Sequence, residues 1–343
     1  MHITKDNIKD FSDNWNEMLQ VAEDYGVEDI VIGGDIFTSM SSQSLSVLMQ
    51  VKKSIQTAVK KGFYITVANG NHDKADKESL IGYPNIYEGV EGYEVVSESK
   101  LMLFDDEGSV ALGIMSYFPE NGSFPERLET FKKNAWEYFS TKPNNIVLYI
   151  HEGVHGALGN FDIPCELQQD ILSEFYLVLC GHYHNRVKVG DNIQYIGASR
   201  QHNFGEDEDK GYTLLYADGS TKFIKNKVNT RYVTEDVNID DLDESFLEKI
   251  AEYKACDERT YRVRVRVKCT NLQAENFDRQ KLLDAGASKV ELLTEKTKHI
   301  EDTQCANMDE KFDKRGILKE YQNFCDVKNI DSELGIEYLD KIN

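Results

Sequence analysis

The apolar positions in the first part of the chain predict alternating helices and strands. One helical stripe covers residues 8–25, and a short apolar run follows at 30–32. A second helical stripe covers residues 47–59 and leads into an apolar strand at 63–68. Near-continuous apolar strands between amphipathic helices are typical of a sheet covered on both faces. The sequence therefore predicts an α/β fold.

The pattern becomes richer in strands towards the middle of the chain. Further strands are predicted at 101–104, 110–114, 146–150, 177–180, 186–189, 193–196, 212–216 and 222–224. One clearly alternating strand stands at 261–269, and the pattern is helical from about residue 309 to the end. We therefore divide the chain into a first domain at 1–225, a smaller α+β capping domain at 226–308 and a helical segment at 309–343.

Composition narrows the class of protein. A chain of 343 residues with 40% hydrophobic residues can bury a core in two or three domains. No apolar run approaches the roughly 18 residues of a membrane span, and the first residues do not read as a secretory signal. The 6 cysteines are scattered without a Cys-x-x-Cys pair. This usage argues against a disulfide scaffold or a structural zinc site and predicts a cytoplasmic protein.

The net charge of −21 argues at first against nucleic acid as a partner. Residues 1–225 carry −15 of this charge, and residues 226–343 carry −6. An acidic first domain fits the binding of divalent cations, although simple solubility explains the charge equally well. The charge therefore leaves the type of ligand open.

Four polar clusters each follow an apolar strand. The carboxyl ends of parallel strands meet at one edge of a sheet, so these side chains can converge. Their mixed nitrogen and oxygen donors suit Mn²⁺, Fe²⁺ or Zn²⁺ better than Ca²⁺. Each cluster alone could be an ordinary turn or hairpin, but the four together predict a metal site. They are Asp35; Asn71, His72 and Asp73; His151; and His182 and His184.

The order Gly-Asp, Gly-Asn-His-Asp, His and Gly-His-x-His resembles the signature of the calcineurin-like metallophosphoesterases. The resemblance implies a two-sheet sandwich flanked by helices, with two metal ions about 3.5–4 Å apart that hold a phosphate. Asp35 is then expected to bridge the metals. Asn71, His151 and His182 resemble the remaining ligands of one metal, and His184 resembles a ligand of the other.

The resemblance also assigns catalytic roles. His72 matches the histidine that protonates the leaving oxygen, and Asp73 is expected to orient its imidazole. The other histidines receive no such role. His155 is interpreted as a bystander on the rim of the cleft and His202 as a loop residue, and His2 has no partner in the sequence.

A second stretch resembles the nuclease branch of that family. Residues 195–199, 204–206 and 209–212 are similar to the Tyr-x-Gly-Ser, Phe-Gly-Glu and Lys-Gly segments of the SbcD-type nucleases. The resemblance implies a Mn²⁺-dependent 3′→5′ exonuclease and endonuclease, with Mg²⁺ as the alternative metal, in an SbcC/SbcD-type repair or recombination complex. It would act in the cytoplasm at the nucleoid, or in the host cytoplasm for a phage protein. A small-molecule phosphodiesterase or phosphatase, and a catalytically weak architectural subunit of an ATPase, are the alternatives.

Four cations are predicted to line one face of the strand at 261–269. They alternate with valines, so a strand would bring them to the same side. Such a face needs an anionic neighbour, either DNA phosphates or an adjacent acidic strand, and we favour DNA. The cations are Arg262, Arg264, Arg266 and Lys268.

One part of the family pattern is not found. That pattern opens with an apolar strand ending in Asp-x-His, which does not precede the helix at 8–25. We therefore expect one Mn²⁺ to bind firmly and the second weakly, through Asp35 and His184 alone, with low nuclease activity. A start codon assigned too late, or a fragmentary gene, is favoured over a natural one-metal variant.

The helical segment at 309–343 generates a first prediction. It carries apolar stripes, and the resemblance implies that it grips the coiled coil of an SbcC-type ATPase, leaving a homodimer open as well. Deleting residues 309–343 should abolish co-purification with that ATPase and spare hydrolysis of a small phosphodiester. Unfolding of the truncated chain, seen by circular dichroism, would instead assign the segment to the core.

Overall fold

The computed structural model describes residues 1–103, 110–139, 145–159, 163, 165–256, 259–294 and 325. The chain divides into two compact units, one of Met1–Arg266 with Asp278–Glu291 and one of Val267–Phe277 with Leu292–Asn343. The domain boundary at residue 226 stays a prediction. Apart from Cys325, the predicted helical segment at 309–343 lies outside the described residues.

Helices and strands alternate over residues 8–68, and strands dominate from residue 177 to residue 238. The helices are α1 Ile8–Asp24, α2 Leu45–Lys60, α3 Phe124–Phe139, α4 Glu244–Ala255, α5 Asn271–Glu275 and α6 Gln280–Ala285. The strands are β1 Asp29–Gly33, β2 Tyr64–Ala68, β3 Tyr93–Val96, β4 Ser99–Met102, β5 Ala111–Met115, β6 Ile146–Ile150, β7 Leu177–Cys180, β8 Val187–Val189, β9 Ile193–Tyr195, β10 Gly211–Leu215, β11 Thr221–Lys225, β12 Arg231–Asn238, β13 Tyr261–Lys268 and β14 Lys289–Leu293. Among the described residues, no helix combines the length and apolar character needed to cross a membrane.

Helices α1 and α2 cover a parallel sheet of order β1-β2-β3. The apolar stripe of α1 is buried, with Phe11 and Trp15 at its centre. Helix α2 begins after Ser44, whose hydroxyl accepts a hydrogen bond from the Val47 amide at 3.4 Å. The predicted stripes at 8–25 and 47–59 are therefore helices that bury their apolar faces.

The second sheet has six strands in the order β4-β5-β6-β7-β9-β8. Its central strands β5, β6, β7 and β9 are parallel, and α3 packs in the apolar cluster on one side of it. Another buried cluster combines Ala68 of the first sheet with Leu112 and Val147 of the second. The mixed α/β class is confirmed, whereas α3 and β3 were not predicted from the sequence.

The parallel strands end in register on the side that carries the polar clusters. Gly33 of β1 pairs with Ala68 of β2, and Ile150 of β6 pairs with Cys180 of β7. A cavity of about 210 Å³ lies between β1 and β10, and its lining includes Asp35. The strand ends therefore border an open space rather than packed core.

Strand β13 lies between β12 and β14 in a separate three-stranded sheet, and its valines are buried as the alternation predicts. Neighbouring strands pair with two of its cations. Arg266 donates to both carboxylate oxygens of Asp236 at 2.7 and 2.9 Å, and Arg264 lies 3.7 Å from Glu291. These two residues therefore contact protein carboxylates, as the acidic-strand alternative expects, and their DNA-binding role stays a prediction. Arg262 and Lys268 are exposed.

The Arg266–Asp236 pair generates a second prediction. Arg266→Glu sets two like charges on neighbouring strands and should lower the free energy of unfolding by about 1 kcal/mol. Exchanging the two residues, Arg266→Asp with Asp236→Arg, should restore most of the loss in urea unfolding. A flatter salt dependence of DNA binding in Arg266→Glu, with unchanged stability, would return this residue to a DNA-binding role.

Candidate functional site

The site lies where the backbone adopts an unfavourable conformation. Among the described residues other than glycine, only His2, Asp35 and His182 have positive φ angles, of 49°, 52° and 72°. Each such residue costs about 1–3 kcal/mol and persists only where the surroundings enforce it. All three side chains face the same cluster of polar atoms, so the strain is concentrated at the site.

Glycine at position 34 allows two loops of the site to meet. Gly34 has a φ of +82°, and a Cβ atom there would lie 2.7 Å from the Gly70 nitrogen and 2.8 Å from His151 Nδ1. Any side chain would therefore separate the loop after β1 from the loop after β2. The Gly-Gly-Asp and Gly-Asn-His-Asp turns depend on this contact.

One half of the site contains four of the predicted ligands. His151 Nε2 lies 3.2 Å from Asp35 Oδ2 and 3.2 Å from Asn71 Oδ1. His182 Nδ1 lies 3.2 Å from the same Asn71 oxygen. His151 Nδ1 donates to the Gly33 carbonyl at 2.7 Å, which turns Nε2 towards the carboxylate. The structure therefore brings these four side chains together.

The other half contains a histidine that the sequence analysis left without a partner. His2 Nε2 lies 3.0 Å from His184 Nε2 and 3.4 Å from Asp35 Oδ2. The His2 amide donates to the Asp35 carbonyl at 2.9 Å, and Ile3 forms a parallel bridge with Phe37. The interpretation of His2 as unpartnered was wrong. This half therefore offers three side chains, rather than the two that were expected.

Burial and charge act against each other at Asp35. Burial raises its pKa, but the neighbouring imidazoles, His151 foremost, outweigh burial and hold the pKa well below its ordinary value. Burial lowers the pKa of His151, and the Asp35 carboxylate with the Gly33 carbonyl leaves that pKa raised. For His182 burial dominates and lowers the pKa to about 3. Asp35 thus stays ionised beside His151, whose charged form it favours, whereas His182 stays neutral.

The arrangement of these atoms fits divalent cations. The Asn71 carbonyl oxygen and the Asp35 carboxylate accept hydrogen bonds only, and both face ring nitrogens. In the other half, the Nε2 atoms of His2 and His184 point at one another. A cation bound by both Nε2 atoms would replace the proton that they share in its absence, or relieve the repulsion between their two lone pairs. The donors match those favoured by Mn²⁺, Fe²⁺ and Zn²⁺.

The predicted catalytic pair is arranged differently from the expectation. His72 Nδ1 donates to the Thr38 carbonyl at 2.9 Å, and its amide donates to Asp35 Oδ1 at 3.0 Å. Asp73 instead accepts from the amides of Phe37 and Gly70, at 3.0 and 2.9 Å. Thr38 thus takes the orienting role that had been given to Asp73, because that carboxylate holds the two loops together. Burial and the Asp35 charge raise the pKa of Asp73 to about 6.

A carboxylate from the Phe-Gly-Glu stretch, that of Glu206, borders the second half. Glu206 Oε1 accepts from His184 Nδ1 at 2.8 Å. The ring of His202 packs 5.0 Å from that of His2 and 4.8 Å from that of His184, between ring centroids. Atoms of His184, His202 and Glu206 lie within 4.8 Å of one another and could hold a metal ion. The Phe-Gly-Glu stretch was the sequence signal for this cluster.

Comparisons with known proteins relate part of the chain to a phosphoesterase. No family model matches the chain. It is 26% identical to "Putative phosphoesterase 244L" of Invertebrate iridescent virus 6, over 54% of this chain and 62% of that protein. The match therefore spans less than two thirds of the viral protein. The chain also aligns with a solved structure, a GH5-4 broad specificity endoglucanase from an uncultured bovine rumen ciliate. The alignment covers 78% of this chain and 84% of the endoglucanase chain, at 10% sequence identity. Its TM-score is 0.16, too low to inform fold or function.

The position of His2 generates a third prediction. His2→Ala should weaken the binding of one of two Mn²⁺ ions by at least about 10-fold, as measured by calorimetry. Loss of a metal ligand should lower the affinity at least as much as loss of a residue that orients a ligand. His155→Ala serves as the matched control, because His155 stands four residues after His151 and its backbone forms hydrogen bonds with Leu167 and Gln169. Equal Mn²⁺ binding by the His2 variant and the control would remove His2 from the site.

Proposed function

We propose that the chain is a metal-dependent phosphodiesterase of the SbcD nuclease type, with DNA as its substrate. The observation that carries the proposal is the convergence of five side chains with nitrogen or oxygen donors, in two halves, around the buried carboxylate of Asp35. Similarity to a protein named as a phosphoesterase supports the hydrolysis of phosphoester bonds. The donors are Asp35, Asn71, His151 and His182 in one half, with His2 and His184 joining Asp35 in the other.

The donor set suits two cations that share Asp35. When bound, a pair of Mn²⁺ ions would neutralise phosphate oxygens and lower the pKa of the attacking water. Asp35 Oδ2 lies 3.2 Å from His151 and 3.4 Å from His2, so one oxygen reaches both halves. His2 completes the second half, and we therefore infer firmer binding of the second metal than the sequence analysis expected.

His72 is the candidate general acid. Its Nδ1 proton is held by the Thr38 carbonyl, so in the imidazolium form the second proton lies on Nε2. That proton would pass to the leaving oxygen and leave a neutral imidazole. The ring is half-buried, so it can reach a phosphate that enters from solvent. The backbone amide of His72 donates to Asp35 Oδ1, which holds this residue beside the carboxylate that would bind the metals.

Two features support DNA rather than a small molecule as the substrate. The segments at 195–199, 204–206 and 209–212 resemble the SbcD nucleases, and Arg262 and Lys268 leave two exposed cations on β13. Because the chain is acidic overall, we propose that it binds an SbcC-type ATPase, which would supply much of the affinity for DNA.

The test of this proposal compares substrates and a His72 variant. With Mn²⁺, the wild-type chain should cleave 3′-labelled duplex DNA and bis(p-nitrophenyl) phosphate, and chelation should abolish both activities. His72→Ala should lower kcat by about 10²–10⁴-fold and keep its affinity for Mn²⁺, because His72 is not a ligand. The His155→Ala variant again controls for the loss of a histidine.

Each outcome separates one alternative. Cleavage of the small diester without DNA cleavage, also with the ATPase present, would favour a small-molecule phosphodiesterase. Failure to bind a metal pair would favour an architectural subunit. Equal rates for wild type and His72→Ala would remove this histidine from the mechanism.

A further inference from the structure

The segment of residues 200–206 surrounds the half of the site that contains His2 and His184. Arg200 is almost fully buried and donates to the carbonyls of Met1 and His2, both at 3.0 Å. At the other end of the segment, Glu206 is also buried and contacts His184. The proposed function uses neither side chain, although burying a charged group in this way requires partners.

The carboxylate of Glu206 is fixed by several donors. Its Oε1 accepts from His184 Nδ1 at 2.8 Å and from the Asn203 side-chain amide at 3.0 Å. Its Oε2 accepts from the His202 backbone amide at 3.2 Å. A carboxylate that accepts from an amide at each oxygen offers the imidazole an acceptor and no proton. The His184 proton must therefore lie on Nδ1, which leaves a lone pair on Nε2.

The segment itself is anchored by the sheet of β12 and β13. The Gln201 side chain accepts from the Tyr232 amide at 3.1 Å. The Phe204 ring meets the Tyr232 ring at 5.2 Å between centroids, and the Arg264 guanidinium lies 5.1 Å from the Phe204 centroid. Arg264, predicted to bind DNA, thus packs on the loop that carries Glu206. These contacts restrict the movement of the carboxylate relative to His184.

We propose that Glu206 is a positioning residue that holds His184 in the tautomer protonated at Nδ1, so that Nε2 faces the cation site. The purpose of this tautomer, which is to bind a metal ion, rests on the proposed function. The tautomer itself is a property of the metal-free chain. A carboxylate that binds the distal nitrogen of a metal-ligating histidine fixes the ring and makes the ligand more basic. Loss of such a partner typically lowers metal affinity by about 10–100-fold.

The experiment measures the tautomer and the metal affinity separately. Long-range ¹H–¹⁵N spectra of the metal-free, full-length chain report which nitrogen of His184 carries the proton. Calorimetry with Mn²⁺ alone reports affinity. The variants are Glu206→Met, which keeps the size of the side chain without an acceptor, and Glu206→Gln, whose amide oxygen still accepts. Glu166→Met is the matched control, because Glu166 is equally buried and accepts from the hydroxyl of Tyr183, the residue before His184.

Glu206→Met should abolish the Nδ1-protonated signature of His184 and weaken one Mn²⁺ site by about 10–100-fold. Glu206→Gln should retain the signature and most of the affinity, and Glu166→Met should leave both unchanged. If Glu206→Met does not fold, Glu206→Ala takes its place.

Two results would overturn the inference. The first is retention of the Nδ1-protonated signature in Glu206→Met. The second is an equal loss of affinity in all three variants, which would indicate a general structural role. A wild-type chain that shows the Nδ1-protonated signature but neither binds Mn²⁺ nor cleaves phosphodiesters would refute the proposed function and leave the tautomer result standing.

Discussion

The buried carboxylate of Asp35 is the constraint on which the rest of the site depends. A carboxylate removed from water is tolerated only where charge and hydrogen bonds replace its hydration. Here the imidazoles of His2 and His151 approach one oxygen, and the backbone amide of His72 donates to the other. The left-handed conformation of Asp35 aims the carboxylate at all of these groups. The loops after β1, β2 and β6 and the first residues of the chain are therefore tied to a single side chain.

The burial of apolar side chains on the strands offsets the free-energy cost of this arrangement. Residues of β5 and β6 are buried along their whole length, and β1, β2 and β7 contribute further apolar side chains to the clusters between and behind the sheets. Each fully buried aliphatic side chain contributes roughly 1.5–3 kcal/mol, so a few of them offset the strain at the three residues with positive φ. A rigid sheet then fixes the positions of the strand ends, which is what a site made of short polar side chains requires.

The loop at 200–206 connects the sheet of β12 and β13 to the site. The loop at 200–206 reaches His184 through Glu206 and the backbone of His2 through Arg200. The same loop packs against Tyr232 and Arg264. Tyr232 of β12 and Arg264 of β13 therefore support the loop that borders the site.

Local patterns in the sequence determined the helices at 8–25 and 47–59, most strand positions and five of the donors. Periodicity and the residue type after each strand are properties of a few neighbouring residues, and parallel pairing then brings the strand ends together. Tertiary structure alone decided the role of His2, the acceptor of His72 and the partner of Arg266. These contacts join residues 182, 34 and 30 positions apart, respectively. No local period encodes such pairs, because the packing of sheets and loops selects which of many polar groups become neighbours.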